Sequence, residues 1–327
     1  MSSPPPPPPD PMLALAATNL KAAKYFQLAA FIVLLYDHIL TFPEEVQRIW
    51  SQKLSVASIL FLINRYITPI QFVIIIDAFH DPIWTETVSS CRRFVAFEGA
   101  STVTLVAICE LIMIMRVYAL YERSRTILIF LMTLWMLQVA LSSVGIDTGF
   151  PVPLPDGFIG CIFTGSHPLF PAIWVTPLIS DCAIFSLTLW RTRTYLRHSR
   201  AAPTTHVFIR DGLLYFLVIF MANLLNTLLF FLGADDIRAI GASFSQLITA
   251  TMISRLVLNL RSVSSFEHEE YTESSTVDHD IRMPAFVSRT IGNLGQDIDT
   301  FMDEPSQRTA DISLKNTHYR SRLTPGE

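Results

Sequence analysis

Long apolar segments separated by short polar connections run through most of the chain. Seven windows consist largely of apolar residues, and they span residues 20–42, 54–79, 94–120, 126–144, 172–190, 213–232 and 240–260. A helix needs about 20 such residues to cross a hydrocarbon core roughly 30 Å thick, because each residue rises about 1.5 Å. None of the windows alternates between apolar and polar residues as a membrane strand does. The pattern predicts an all-α membrane protein, a bundle of seven transmembrane helices with a receptor-like topology.

Composition and charge set two tails apart from this bundle. Of the 327 residues, 51% are apolar and 16% are charged, too few charges to cover a soluble protein. Residues 262–327 hold 6 Lys/Arg against 12 Asp/Glu, and residues 1–261 hold 18 against 16, so the net charge of −4 arises in the tail. We predict a disordered Pro-rich N-terminus (residues 1–19) and a disordered, acidic, Ser/Thr-rich cytosolic tail (residues 262–327). Nucleic acid is not an expected partner, and the lipid bilayer is.

The distribution of basic residues predicts the orientation of the bundle. The connections on one side carry ten Lys and Arg, and those on the other side carry five. Basic residues are enriched on the cytoplasmic side of membrane proteins. We therefore expect the N-terminus outside, the C-terminus in the cytosol, and a location in the plasma membrane rather than in internal membranes.

The four cysteines fall into two groups. Cys109 and Cys182 lie within predicted spans, where cysteine usually serves as a small apolar packing residue. Cys91 and Cys161 lie on the predicted outer side, where disulfides persist. A bridge between Cys91 and Cys161 is the favoured hypothesis, and two unpaired thiols are the alternative.

Ionisable residues also occur inside the predicted spans, where each costs about 3 kcal/mol on insertion scales. The candidate in-membrane charge network comprises Asp37, Arg65, Glu110, Arg116, Asp181 and Arg255. From their depths we predict two ion pairs, Arg65 with Glu110 and Asp37 with Arg255. The network can form a polar cavity for a ligand or a proton relay, or it can pin neighbouring helices together. The second interpretation is favoured, since amide side chains in the same spans are typical of helix–helix contacts.

Five strings of residues carry a family resemblance. They read YDHILTFPEEVQRIW at 36–50, LFLINRY at 60–66, MRVYALYERSR at 115–125, RDGLLYF at 210–216 and SRLVLNLR at 254–261. Together they resemble a large family of seven-span membrane proteins of basidiomycete fungi, defined by an N-terminal domain of unknown function. The string positions taken as candidate site residues are Tyr36, Asp37, Glu45, Trp50, Asn64, Arg65, Tyr66, Arg210, Asp211, Gly212, Asn259 and Arg261. All lie on or near the predicted inner face, which suggests a charge network there or a docking surface for a cytosolic signalling partner.

Motifs for chemistry are missing from the sequence. The eight histidines are scattered, without the spacing of a metal site, so we expect neither an enzyme nor a cofactor. Arg116 lies in a string that matches the signature of rhodopsin-like receptors poorly. The leading hypothesis is a receptor-like or sensor-like membrane protein. The main alternative is a transporter or channel that uses Arg65, Glu110 and Asp181, and a lipid-modifying enzyme is the third.

Overall fold

In the computed structural model, long helices dominate the chain. The structure describes residues 11–52, 54–86, 88–151, 160–161, 163–165, 167–198, 203–233 and 240–273. The helices are α1 (Pro11–Glu45), α2 (Val56–His80), α3 (Ile83–Glu86), α4 (Val88–Leu120), α5 (Arg125–Asp147), α6 (Ala172–His198), α7 (Pro203–Leu232) and α8 (Ile240–Glu273). A π-helical turn, Val46–Trp50, continues α1, and two short strands, β1 (Phe150–Pro151) and β2 (Phe163–Thr164), pair antiparallel.

Within the described residues, six helical stretches have the length and composition to cross a membrane. They are Ala17–Trp50, Val56–His80, Ser89–Leu120, Arg125–Asp147, Ala172–Thr194 and Gly212–Leu232. Helix α8, which contains the seventh predicted window, is not among them because many of its residues are polar. Several of these, such as Ser245, Thr249 and Ser254, are buried against the other helices. The chain is thus an all-α integral membrane protein with six candidate spans.

The seven long helices pack as a closed ring. Successive long helices contact one another, and α1 closes the ring against α8. Helix α4 also contacts α6 and α8, which places it nearest the centre of the bundle. We name the two ends of the bundle after residues that lie there. The disulfide end contains Cys91, and the opposite end, which contains Arg261, is the Arg261 end.

At the Arg261 end, local sequence explains the start of α2 and the turn between α4 and α5. Ser55 and Ser58 form a capping box at the start of α2, in which each hydroxyl accepts a hydrogen bond from the other's backbone N–H. Between α4 and α5, Glu122 and Arg123 adopt left-handed φ angles of 53° and 62°. Two consecutive left-handed residues reverse the chain within a few residues, so α5 returns alongside α4.

The predicted disulfide is present at the other end. The Sγ atoms of Cys91 and Cys161 are 2.20 Å apart, and Cys161 is fully buried. Phe94 and Trp84 pack beside the bridge with ring centroids 5.7 Å apart. The bridge joins the first turns of α4 to the connection between α5 and α6. That connection also contains the strand pair, which the sequence analysis did not predict.

Two helices extend beyond the predicted bundle segments. Helix α1 begins at Pro11, so part of the segment predicted to be disordered (residues 1–19) is helical. Helix α8 continues to Glu273, beyond the predicted start of the disordered tail at residue 262. The polyproline run and residues 274–327 lie outside the described residues.

Candidate functional site

A buried ion pair between α1 and α2 lies near the Arg261 end. Arg65 Nε is 2.6 Å from Glu45 Oε2, and both side chains are almost completely buried. The predicted pair of Arg65 with Glu110 is therefore wrong. The first predicted span ends at residue 42, before Glu45, whereas α1 extends to Glu45 and brings its carboxylate into the bundle beside Arg65.

The carboxylate of Glu45 also collects two neutral donors. Tyr66 Oη donates to Glu45 Oε1 at 2.8 Å, and Trp50 Nε1 donates to the same oxygen at 3.0 Å. The π-helical turn Val46–Trp50 is what returns the indole to Glu45. We call Glu45, Trp50, Arg65 and Tyr66 the Glu45 cluster. Its carboxylate has a cation and two further donors, the condition under which a buried charge is tolerated.

A proline in α2 links this cluster more firmly to α1. Pro69 has no N–H, so the carbonyl of Arg65, four residues earlier, loses its helical donor. His38 Nε2 lies 2.7 Å from that carbonyl oxygen and replaces the missing donor. Arg65 Nη2 in turn donates to the carbonyl oxygen of His38 at 3.0 Å and to Thr41 Oγ1 at 2.9 Å. Helices α1 and α2 are thereby joined by a reciprocal pair of contacts.

Further polar contacts join α1 and α2 to α8 near the Glu45 cluster. Arg255 Nε lies 2.5 Å from Asp37 Oδ1, so the predicted Asp37–Arg255 ion pair is present. Asn64 Nδ2 donates to the carbonyl oxygen of Ala250 at 3.1 Å. Arg261 donates to the carbonyl oxygen of Arg48 at 2.9 Å and to the hydroxyls of the capping box. These bonds hold the start of α2 against α8.

The remaining string residues have separate surroundings. The guanidinium of Arg116 lies 4.8 Å from the ring centroid of Phe216 and donates to the carbonyl oxygen of Gly212 at 3.5 Å. Asn259 donates to Tyr215 Oη at 2.5 Å. Tyr36 is 62% exposed on the outer surface of α1 and takes no part in the cluster. The side chains of Arg210 and Asp211 lie outside the described set.

A second group of polar residues lines a central cavity of about 40 Å³ between α4, α5, α6, α7 and α8. Its polar and charged lining residues are Thr102, Cys109, Glu110, Gln138, Ser142, Asp181, Asn223, Asn226, Ser245, Gln246 and Thr249. A space of this size holds about three water molecules. Glu110 and Asp181, both predicted site residues, meet here, and Arg65 does not line the cavity.

Neutral donors bind the two cavity carboxyl groups. Gln138 Nε2 donates to Glu110 Oε1 at 2.6 Å, and Asn223 Nδ2 donates to Asp181 Oδ2 at 2.5 Å. Ser180 and Ser245 donate to the amide oxygens of Gln138 and Asn223. The sequence analysis missed Gln138, although an amide within an apolar window is a readable signal of an interior position.

Three polar atoms around the cavity have no hydrogen-bond partner in the part of the chain that the structure describes. They are Glu110 Oε2, Thr249 Oγ1 and Trp174 Nε1. Buried polar atoms are nearly always paired with protein or with ordered water. The cavity is therefore a place where water or a small polar ligand supplies the missing partners.

Fold and polar network define a helical integral membrane protein with one paired charge cluster and one central polar cavity. Residues 25–70 match a family of unknown function, DUF6533. The matched segment covers most of α1 and the first part of α2, and it contains the whole Glu45 cluster. No curated protein matches the chain.

Proposed function

We propose that the chain is a non-enzymatic, seven-helix membrane protein with a receptor-like or sensor-like function, whose ligand site is the central cavity. One observation carries the proposal: a closed ring of long helices encloses two carboxyl groups that have no basic partner among the described residues. Residues that only pin helices together need their charges paired, as in the Glu45 cluster. The unpaired carboxyl groups favour binding as their role.

The proposal includes α8 as a seventh span and an N-terminus on the outer side of the plasma membrane. Burial of polar residues such as Ser254 and Thr249 supports the first point, because side chains facing the interior need not be apolar. The Cys91–Cys161 bridge supports the second, since disulfides persist on the oxidising side. Reporter fusions after Ser143 and Glu327 test both points. Reporters on the same side of the membrane would contradict the seventh span, and a cytosolic reporter after Ser143 would contradict the orientation.

The Arg261 end is our candidate surface for a cytosolic signalling partner. A chain of contacts leads there from the cavity: Cys109 lines the cavity and its Sγ–H donates to Asn64 Oδ1 at 3.1 Å. Asn64 precedes Arg65 of the Glu45 cluster and is also bonded to α8. A change in cavity occupancy can thus alter how α2, α4 and α8 meet. Signalling requires that these helix contacts have two alternative arrangements, between which cavity occupancy shifts the equilibrium.

Proximity labelling from a ligase fused to the C-terminus tests this function. We expect Glu110→Gln and Asp181→Asn to change which cytosolic proteins are labelled, while surface expression stays unchanged. Glu98→Gln is the matched control, because Glu98 is a half-buried glutamate on α4, with its Oε2 atom buried, that does not line the cavity. Identical labelling for wild type, cavity variants and control would contradict the sensor proposal.

A transporter or channel that uses Arg65, Glu110 and Asp181 is the alternative. Such a path would need the three residues to share one cavity, and Arg65 is instead held by Glu45 at 2.6 Å. Reconstitution into vesicles, with proton and alkali-ion flux measured against protein-free vesicles, tests this alternative. Flux that Glu110→Gln abolishes would favour the transporter over the sensor.

A further inference from the structure

The central cavity brings two acidic side chains together without a basic one. Glu110 and Asp181 are 2% and 3% exposed, and none of the residues that line the cavity is Lys, Arg or His. A buried carboxylate without a counter-charge is costly, so it takes up a proton or binds a cation. The two carboxyl groups therefore need a proton or a cation from outside the chain to offset their charge.

The hydrogen bonds around the two groups favour the charged form. Each carboxyl group accepts from a side-chain amide, Gln138 on Glu110 and Asn223 on Asp181. Donation to a carboxylate stabilises its ionised state. One oxygen of Glu110 remains without any partner. That oxygen is free to ligate a bound ion.

The three arginines of the predicted charge network do not supply the positive charge. Arg65 is paired with Glu45 and Arg255 is paired with Asp37. Arg116 is directed to the ring of Phe216. These arginines are therefore committed elsewhere.

An independent observation also indicates a ligand. Thr249 on α8 lines the cavity, is 6% exposed, and its hydroxyl has no hydrogen-bond partner. Hydroxyl and carboxylate oxygens are hard ligands, which suit alkali and alkaline-earth ions better than transition metals. Within the described residues, no group of three or more His, Cys, Asp or Glu could hold a metal ion. That finding disfavours a divalent ion, since Ca²⁺ takes six to eight oxygen ligands, carboxylates prominent among them.

We propose that the cavity binds one small monovalent metal cation of the size of Na⁺, with Glu110, Asp181 and Thr249 as protein ligands and water as the remainder. This deepens the proposed function, on which it rests, by naming the ligand class of the same cavity. A cavity of about 40 Å³ accommodates such an ion with about two water molecules, and it is too small for a bulky organic amine. The ion offsets one negative charge, and the two amides offset part of the other.

Thermal unfolding of the purified full-length protein in detergent tests the proposal. The Tm is measured in NaCl, KCl and N-methyl-D-glucamine chloride at equal ionic strength, and with added CaCl₂. We expect NaCl to raise the Tm by about 3 °C in a saturable way, because an ion that binds only the folded state stabilises it. Glu110→Gln and Asp181→Asn should fold normally and lose this rise. Glu98→Gln, the matched control outside the cavity, should keep it.

Three outcomes would overturn the proposal: no ion-specific rise, a rise with CaCl₂ alone, or an equal rise in the cavity variants and wild type. A failure here leaves the sensor proposal standing if the cavity variants still change proximity labelling. A saturable Na⁺ effect with unchanged labelling would instead support the ion site and remove the sensor function. The ion-site proposal and the sensor proposal can therefore be refuted independently of each other.

Discussion

The Glu45 cluster and the central cavity both contain buried carboxyl groups, but the partners of these groups differ. In the cluster, one carboxylate forms an ion pair with an arginine and accepts hydrogen bonds from a tyrosine and a tryptophan. In the cavity, two carboxyl groups share only neutral amide donors and leave Glu110 Oε2 unpartnered. The partners of a charged residue inside the bundle therefore indicate whether its role is structural or functional. Its depth in the span does not.

The largest expected effect comes from breaking the ion pair of the cluster. Glu45→Ala leaves Arg65 buried without its counter-charge, and we expect a loss of about 3–5 kcal/mol, or roughly 10 °C in Tm. Thermal unfolding in detergent measures the change. The double variant Glu45→Leu/Arg65→Met removes both charges and should recover much of the loss. A Tm for Glu45→Ala equal to that of wild type would show that the pair is not structural.

Removal of the disulfide should have the next largest effect. Cys91→Ser opens a bridge with a sequence separation of 70 residues, and we expect a loss of about 2–4 kcal/mol. The exposed free thiol of Cys182 provides the control, since Cys182→Ser should leave the Tm unchanged. Reduction of the wild type should reproduce the Cys91→Ser result, and insensitivity of the wild type to reductant would contradict the bridge.

A smaller effect is expected where α7 passes Arg116. A Cβ at position 212 would overlap Arg116 Nη2, so Gly212→Ala must displace the guanidinium from the ring of Phe216. The lost cation–π contact should cost about 1 kcal/mol. In an Arg116→Met background the same substitution should cost nothing further, and an equal loss in both backgrounds would refute the steric explanation. Tm measurements on the four proteins complete this double-mutant cycle.

The smallest effect on stability is expected in the cavity. Glu110→Gln and Asp181→Asn remove charges that have no basic partner, so the Tm should change by less than the equivalent of about 1 kcal/mol or should rise. The same variants should alter ion dependence and labelling, as proposed above. A loss as large as that of Glu45→Ala would place the cavity residues among the structural pins.

Sequence reasoning reached the helical membrane class, the Cys91–Cys161 bridge and the Asp37–Arg255 pair. It did not reach the partner of Arg65, because hydropathy ended the first helix at residue 42, before Glu45. A charged residue at the end of a span lowers the local hydropathy whether it faces solvent or the interior. The role of His38 was equally hidden, since it depends on the carbonyl that Pro69 releases on a neighbouring helix. Both errors arise from contacts between helices, which a single-helix pattern does not contain.

The cavity was only partly readable for the same reason. Glu110 and Asp181 stood out as charges in apolar windows, whereas Gln138 and Thr249 are ordinary polar residues until the packing of α5 and α8 brings them to the same space. The sequence analysis favoured pins over a cavity for the whole set of charges. The structure divides that set, with Arg65, Asp37 and Arg255 in ion pairs and the two cavity carboxyl groups without one.

The most direct test of this division is the Tm of two matched variants, Glu45→Gln and Glu110→Gln, measured side by side in the same detergent. N-methyl-D-glucamine chloride replaces NaCl in this measurement, so that bound Na⁺ does not contribute to the Tm of the wild type. Both change one buried glutamate to its isosteric amide, and they differ only in whether an arginine is left behind. The account predicts a large fall for Glu45→Gln and no fall for Glu110→Gln. Equal losses in the two variants would contradict it.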